Sequence, residues 1–99
     1  MLNIIKSLEG DAMTITLEGR LDSLTSANLE KEVKDLPESV KELTMDLEKL
    51  EYISSAGLRV LLLLQKTMAK RGGMKLIHVS EMVMEIFEVT AFTDILTIE

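Results

Sequence analysis

The residues of this chain with chemistry to offer are few, and they cluster around one turn. Ser54 and Ser55 precede Ala56-Gly57-Leu58 and a leucine-rich run, so they stand at the mouth of a helix. A serine there has its hydroxyl near backbone N–H groups that find no partner inside the helix. One role for it is a cap. A second is phosphorylation, because a phosphate at that point gains hydrogen bonds and lies at the positive end of the helix dipole. It would also bring about −1.5 to −2 charges to a surface patch and disfavour any partner that packs on neutral serine. The two roles are compatible.

Other chemistries lack their residues. The chain has no cysteine, which excludes disulfides, thiolate metal sites and cysteine nucleophiles and suits a reducing cytosol. His78 is the only histidine, it sits in a strand pattern, and the carboxylates around it have no ligand spacing. Gly72-Gly73 is followed by no lysine-serine pair, so there is no phosphate-binding loop. No catalytic triad is present either. An enzyme is not expected, nor is a metal or cofactor. Eleven basic against seventeen acidic residues give a net charge of −6, which repels a nucleic-acid backbone. Aromatic residues are only 3% of the chain, too few for base-stacking platforms. The longest apolar run, Val60 to Leu64, is far too short to cross a bilayer, and the start of the chain shows no secretory signal. A cytoplasmic protein with neither membrane nor direct nucleic-acid contact is the expectation.

The elements that must position the two serines follow from periodicity. The partly alternating Leu2, Ile4 and Leu8, the turn Glu9-Gly10-Asp11, and the alternating Met13, Ile15 and Leu17 predict an antiparallel hairpin. From about Leu24 the period changes. Leu29, Val33 and Leu36 form one helical stripe, with Asp22, Ser23 or Thr25 as cap and Pro37 as stop. Leu43, Met45 and Leu47 predict a third strand ending near Asp46, and Tyr52-Ile53 a short extended piece. A second helix is predicted from Ser55 to about Arg71, ended by Gly72-Gly73. Val60 to Leu64 reads as ordinary packing within it. A strand over Met74–Val79, a helix capped by Ser80 and running to about Val89, and a last strand over 95–98 complete the chain. One of Met82 and Met84 is expected to pack inward and the other to join an exposed apolar patch. The order is β-β-α-β-α-β-α-β, one α/β domain over residues 1–99 with a mixed sheet.

Three motifs in this order carry a resemblance: Gly19-Arg-Leu-Asp22, Met45-Asp-Leu47, and Tyr52-Ile-Ser-Ser-Ala-Gly-Leu58. Together they resemble the STAS domain of bacterial anti-sigma factor antagonists over essentially the whole chain. The resemblance implies a STAS-like fold and a binding protein. In that family the unphosphorylated antagonist binds an anti-sigma factor that is also a GHKL-type serine kinase, which releases the sigma factor. Phosphorylation of one serine ends the interaction, and a PPM-type phosphatase restores it. Aligned on Gly57-Leu58, that serine is Ser55. Ser54 stands where the family commonly has aspartate, which makes it a competing candidate. Ala56 replaces a second hydroxyl residue, and Glu48 replaces the hydroxyl residue that often follows the Asp-Leu segment. The resemblance places Asp22 and Asp46 near the phosphorylated serine and makes Asp22, Asp46, Ser54, Ser55, Ala56, Gly57, Leu58 and Arg59 the partner-binding set. Asp22 and Asp46 have an equal second reading as strand ends and turn caps, and Arg59, four residues after Ser55, is read either as a solvated side chain or as a phosphate-pairing residue on the same helix face.

The expected function is therefore an anti-sigma factor antagonist, as a monomer, switched at Ser55. The alternative is a STAS-type accessory subunit of a membrane transport system, in which the serines are only cap and contact residues. A small-molecule sensor is the third reading, and no convergent polar set supports it.

Overall fold

Alternation builds the first half of the sheet. Along β2 (Ala12–Leu21), Met13, Ile15, Leu17 and Leu21 are buried on one side while Thr14, Thr16 and Glu18 face the other, half-buried. The computed structural model describes residues 1–34 and 36–99. β1 (Leu2–Glu9) pairs antiparallel with β2, from Leu2 opposite Gly19 to Glu9 opposite Ala12. Gly10, at φ +62°, makes the connecting turn, a backbone conformation that costs glycine little. β1 is an edge strand. Its Lys6 ammonium reaches Glu32 on the first helix at 2.6 Å, a charge that also discourages edge-to-edge pairing.

α1 (Thr25–Lys34) follows β2 and buries Leu29, with Val33 half-buried beside it. Leu36, beyond the helix, completes the stripe against the core, and residue 35 lies outside the described residues. β3 (Glu42–Ile53) then runs parallel to β2. It is one strand of twelve residues, which corrects the expectation of a strand ending near Asp46 with a separate piece at Tyr52. The reason lies in its register with β2. Asp46 faces Thr16 and Lys49 faces Glu18, and Leu50 faces Gly19 while Tyr52 faces Arg20, so β3 carries an extra residue at each of two bulges. The buried set is consequently Leu43, Met45, Leu47, Leu50 and Ile53, whose spacing changes from two to three.

α2 (Ser55–Ala69) packs Leu58, Val60, Leu61, Leu64 and Met68 inward. Most of the Val60–Leu64 run is packing as expected, but Leu63 is exposed. Helix α2 ends at the Lys70 cap, slightly before the expected Arg71, and Gly72 and Gly73 both donate to the Met68 carbonyl. β4 (Met74–Ile77) pairs parallel with β3, giving the order β1-β2-β3-β4. It stops two residues short of expectation, and His78 leaves the strand at φ +57°. α3 (Glu81–Val89), capped by Ser80, buries Val83 and Phe87 and leaves Met82 exposed and Met84 half-buried. The last expected strand contracts to a single parallel bridge between Leu76 and Ile98, after a short 3-10 turn at Phe92–Asp94.

Because β2, β3 and β4 are parallel, α1, α2 and α3 all begin at the same edge of the sheet. In open α/β sheets the strands' carboxyl ends are where functional groups gather. Both serines lie on that edge.

Candidate functional site

The site is built where β2 and β3 end side by side. Leu21 faces Ile53, and the Ser54 N–H donates to the Leu21 carbonyl at 2.8 Å. This bond fastens the start of α2 to the turn that leads from β2 into α1.

That turn is organised by Asp22. Its Oδ1 accepts from the Thr25 N–H at 2.9 Å and the Leu24 N–H at 3.0 Å. The Thr25 hydroxyl in turn accepts from the Asp22 N–H at 2.8 Å and donates to the Arg20 carbonyl at 2.7 Å. The hydrogen bond from the Thr25 backbone, chiefly, holds the Asp22 carboxyl below its ordinary range. Asp22 thus follows the residue whose carbonyl takes the Ser54 N–H, with one carboxylate oxygen committed to shaping the turn. The turn presents Leu24, which is 81% exposed. Sequence reasoning missed Leu24 as a surface residue. Its signal was a poor fit to the Leu29–Val33–Leu36 stripe.

At the mouth of α2 the two serines divide the work. Ser54 is the N-cap, with extended backbone (φ −94°, ψ 174°) and a hydroxyl oxygen that accepts from the Gly57 N–H at 3.3 Å. Ser55 is the first helical residue and is exposed. Capping therefore falls to Ser54, and Ser55 stands exposed beside it. Ala56 is half-buried and Arg59 exposed. Gly57 and Leu58, also in the expected partner-binding set, are both buried. A Cβ on Gly57 would lie 2.7 Å from Leu21 Cγ and 2.9 Å from Ile53 Cγ1, so glycine lets α2 settle against the ends of both strands. Leu58 is 5% exposed and belongs to the core. These two residues position the turn.

Asp46 lies further back along β3. The stretch of β3 from Asp46 to Ile53 lies opposite Thr16 to Leu21, five steps of β2, or roughly 17 Å along the sheet. Asp46 is thus not beside Ser55. Its Oδ1 accepts from the Glu48 N–H at 3.1 Å and meets His78 Nδ1 at 3.0 Å, with Glu48 Oε1 at 3.9 Å. No local pattern announces this pair, since 32 residues separate its members and periodicity puts His78 in a strand. Among the described residues no group of three or more His, Cys, Asp or Glu side chains is arranged to hold a metal ion.

The Asp46 hydrogen bond, reinforced by the charges of Asp46 and Glu48, raises the His78 pKa above its ordinary 6.5. A raised folded-state value stabilises in full below the unfolded pKa, and the contribution disappears as pH rises through the folded one. The melting temperature of the wild type over Asp46→Asn is therefore expected to be higher below pH 6.5 and to shrink as His78 loses its proton. Calorimetric melts across that range check it, and a difference independent of pH would dissociate the pair from stability.

One more pair of side chains borders the site. Arg20 and Tyr52 face each other across β2 and β3, and the Arg20 guanidinium lies 4.5 Å from the centre of the Tyr52 ring. Arg20 is exposed, one residue before Leu21.

Comparison with known proteins fits this geometry. The family described as Mlab, STAS domain matches residues 4–97. BtrV of Bordetella bronchiseptica, described as an anti-sigma factor antagonist, is 36% identical over 88 residues, covering 86% of this chain and 76% of that protein. The anti-sigma-B factor antagonist of Bacillus subtilis is 30% identical over 95 residues, covering 95% of this chain and 86% of that protein. The anti-sigma factor antagonist SpoIIAA shares the fold in its unphosphorylated form, with a TM-score of 0.76 at 17% identity over 100% of this chain and 87% of that one. It does so in its phosphorylated form as well, with a TM-score of 0.74 at 16% identity over 100% of this chain and 91% of that one. The chain belongs to the STAS domain family, alongside the anti-sigma factor antagonists.

Proposed function

We propose that this chain is an anti-sigma factor antagonist whose unmodified form binds an anti-sigma factor with serine kinase activity, and whose release follows phosphorylation of Ser55. It is a binding protein and not an enzyme. ATP enters only through the partner, a GHKL-type kinase, and a PPM-type phosphatase returns Ser55 to its free state. The chain works as a monomer in the cytosol.

The observation that carries this reading is the division of labour between adjacent serines. Ser54 takes the cap, so Ser55 keeps an exposed hydroxyl beside the Asp22 turn and the uncovered Leu24 side chain. A kinase can reach that oxygen without opening the helix. The docking face is then Leu24, Ser55 and Arg59, with Ser54 and Ala56 at its margin and Asp22 holding the turn in place.

The test is to incubate the chain with its cognate anti-sigma kinase and ATP and map the modified residue by mass spectrometry. Phosphate is expected on Ser55, absent in Ser55→Ala and retained in Ser54→Ala. The last variant should melt earlier, since losing a serine cap costs about 0.5–2 kcal/mol. Phosphate on Ser54 alone, or on neither serine, would overturn the reading. The second result would favour stable docking on a membrane transport system.

A further inference from the structure

We propose that Arg59 is the residue that holds the phosphate: a dianion on Ser55 draws the Arg59 guanidinium, one helical turn along α2, into an intramolecular ion pair and so withdraws it from the docking face. The inference rests on Ser55 being the modified residue. It adds a second effect to the modification, which then both introduces negative charge and removes a donor that the partner would meet.

Spacing supports the pair first. Ser55 and Arg59 are both exposed and stand at i and i+4 on one helix, where Cβ atoms lie roughly 5–6 Å apart. The anion is the N-terminal member, the favourable orientation for such a pair. A guanidinium presents several N–H donors in a planar fork that matches phosphate oxygens.

Availability supports it next. Arg59 forms no ion pair among the described residues. The other two arginines are engaged: Arg71 donates to the Pro37 carbonyl at 2.8 Å, and Arg20 is stacked on Tyr52. No acid on its own helix competes for Arg59, because Ser55–Ala69 contains no aspartate or glutamate in a chain that has seventeen. Along the exposed side of α2, Ser55 and Arg59 are followed by Leu63 and Lys66, with Lys70 exposed at the C-cap. The helix thus carries a basic ridge in a protein of net charge −6, with the phosphate acceptor at its head. A partner surface suited to that ridge is acidic.

Backbone N–H groups at the start of α2 offer the phosphate another support, and the experiment separates the two. Phosphoserine is installed at position 55 of the full chain by genetic encoding, with no kinase involved. Its 31P resonance is then titrated through the second ionisation, which lies near pH 6 for a free phosphoserine. In Arg59→Gln the phosphate is expected to titrate about half a unit higher than in the wild type, with Arg59→Lys between them and Arg20→Gln like the wild type. The difference should collapse in about 1 M salt, where screening acts over about 3 Å. Coincident titration of wild type and Arg59→Gln would overturn the inference and assign the phosphate to the backbone. Because the phosphate is installed directly, this result stands whether or not the kinase modifies Ser55, whose failure would count against the proposed function alone.

Discussion

Phosphorylated Ser55 is expected to bind the anti-sigma kinase roughly a hundredfold more weakly than the unmodified chain, or weaker still, which corresponds to about 2.7 kcal/mol or more. The melting temperature should stay the same or rise. Both halves follow from the place of Ser55 as the first residue of α2. A buried interface that had packed on a neutral hydroxyl must either desolvate the phosphate or set an acid against it, and each costs several kcal/mol. The scaffold meets no such cost, because α2 has no acidic residue in its first turn and a negative group there is favoured by the helix dipole. Ser55→Asp carries one charge instead of nearly two, so it should lose less affinity while gaining a similar small stabilisation. Titration calorimetry with the cognate kinase, paired with thermal melts, reads both quantities. Equal affinities at matched stability would place the docking face elsewhere.

What the sequence made legible here was governed by local period and turn chemistry. The hairpin, the three helices and the Ser80 cap were all readable because each depends on neighbours within a few residues. β3 was only half readable. Alternation through Leu43, Met45 and Leu47 stops at Glu48-Lys49, and Leu50 and Ile53 continue at a spacing of three, which matches no regular strand. Two bulges absorb the mismatch, and bulges are set by the partner strand rather than by the residues themselves. The same bulged strand keeps Asp46 well away from Ser55, and the positive φ at His78 lets the imidazole turn back onto that carboxylate. Neither result has a signature along the chain.

The site shows the same division. That two serines open a helix was plain from Ser54-Ser55-Ala56-Gly57, yet which of them caps it depends on the Leu21 carbonyl that takes the Ser54 N–H. Leu58 looked like a member of the contact set because it travels with the motif. It is conspicuous there for a different reason, since the motif must also seat the helix on the sheet. A motif can record packing and recognition in adjacent residues, and only burial tells them apart.

Two leucines turn that distinction into measurements with opposite outcomes. Leu58→Ala removes a core side chain that is 5% exposed and should cost about 2–5 kcal/mol of stability. Against a total of about 5–15 kcal/mol for a typical domain, that is a large loss and a melting shift of many degrees. The fraction that remains folded should bind the kinase with unchanged affinity, because no atom of Leu58 is needed at the surface. Leu24→Glu should behave in reverse. At 81% exposure the leucine contributes little to folding, and an exposed substitution of this kind stays within about 0.5 kcal/mol. Covering Leu24 in a complex is worth about 1.5–3 kcal/mol, so its loss weakens binding by roughly ten- to a hundredfold. The glutamate adds a charge to the same edge of the sheet as a phosphate on Ser55, so combining it with phosphorylation should give less than the sum of the two effects. Full additivity in that double cycle would mean that Leu24 and Ser55 touch the partner at separate places, and that the edge shared by the starts of α1 and α2 is not one continuous docking face.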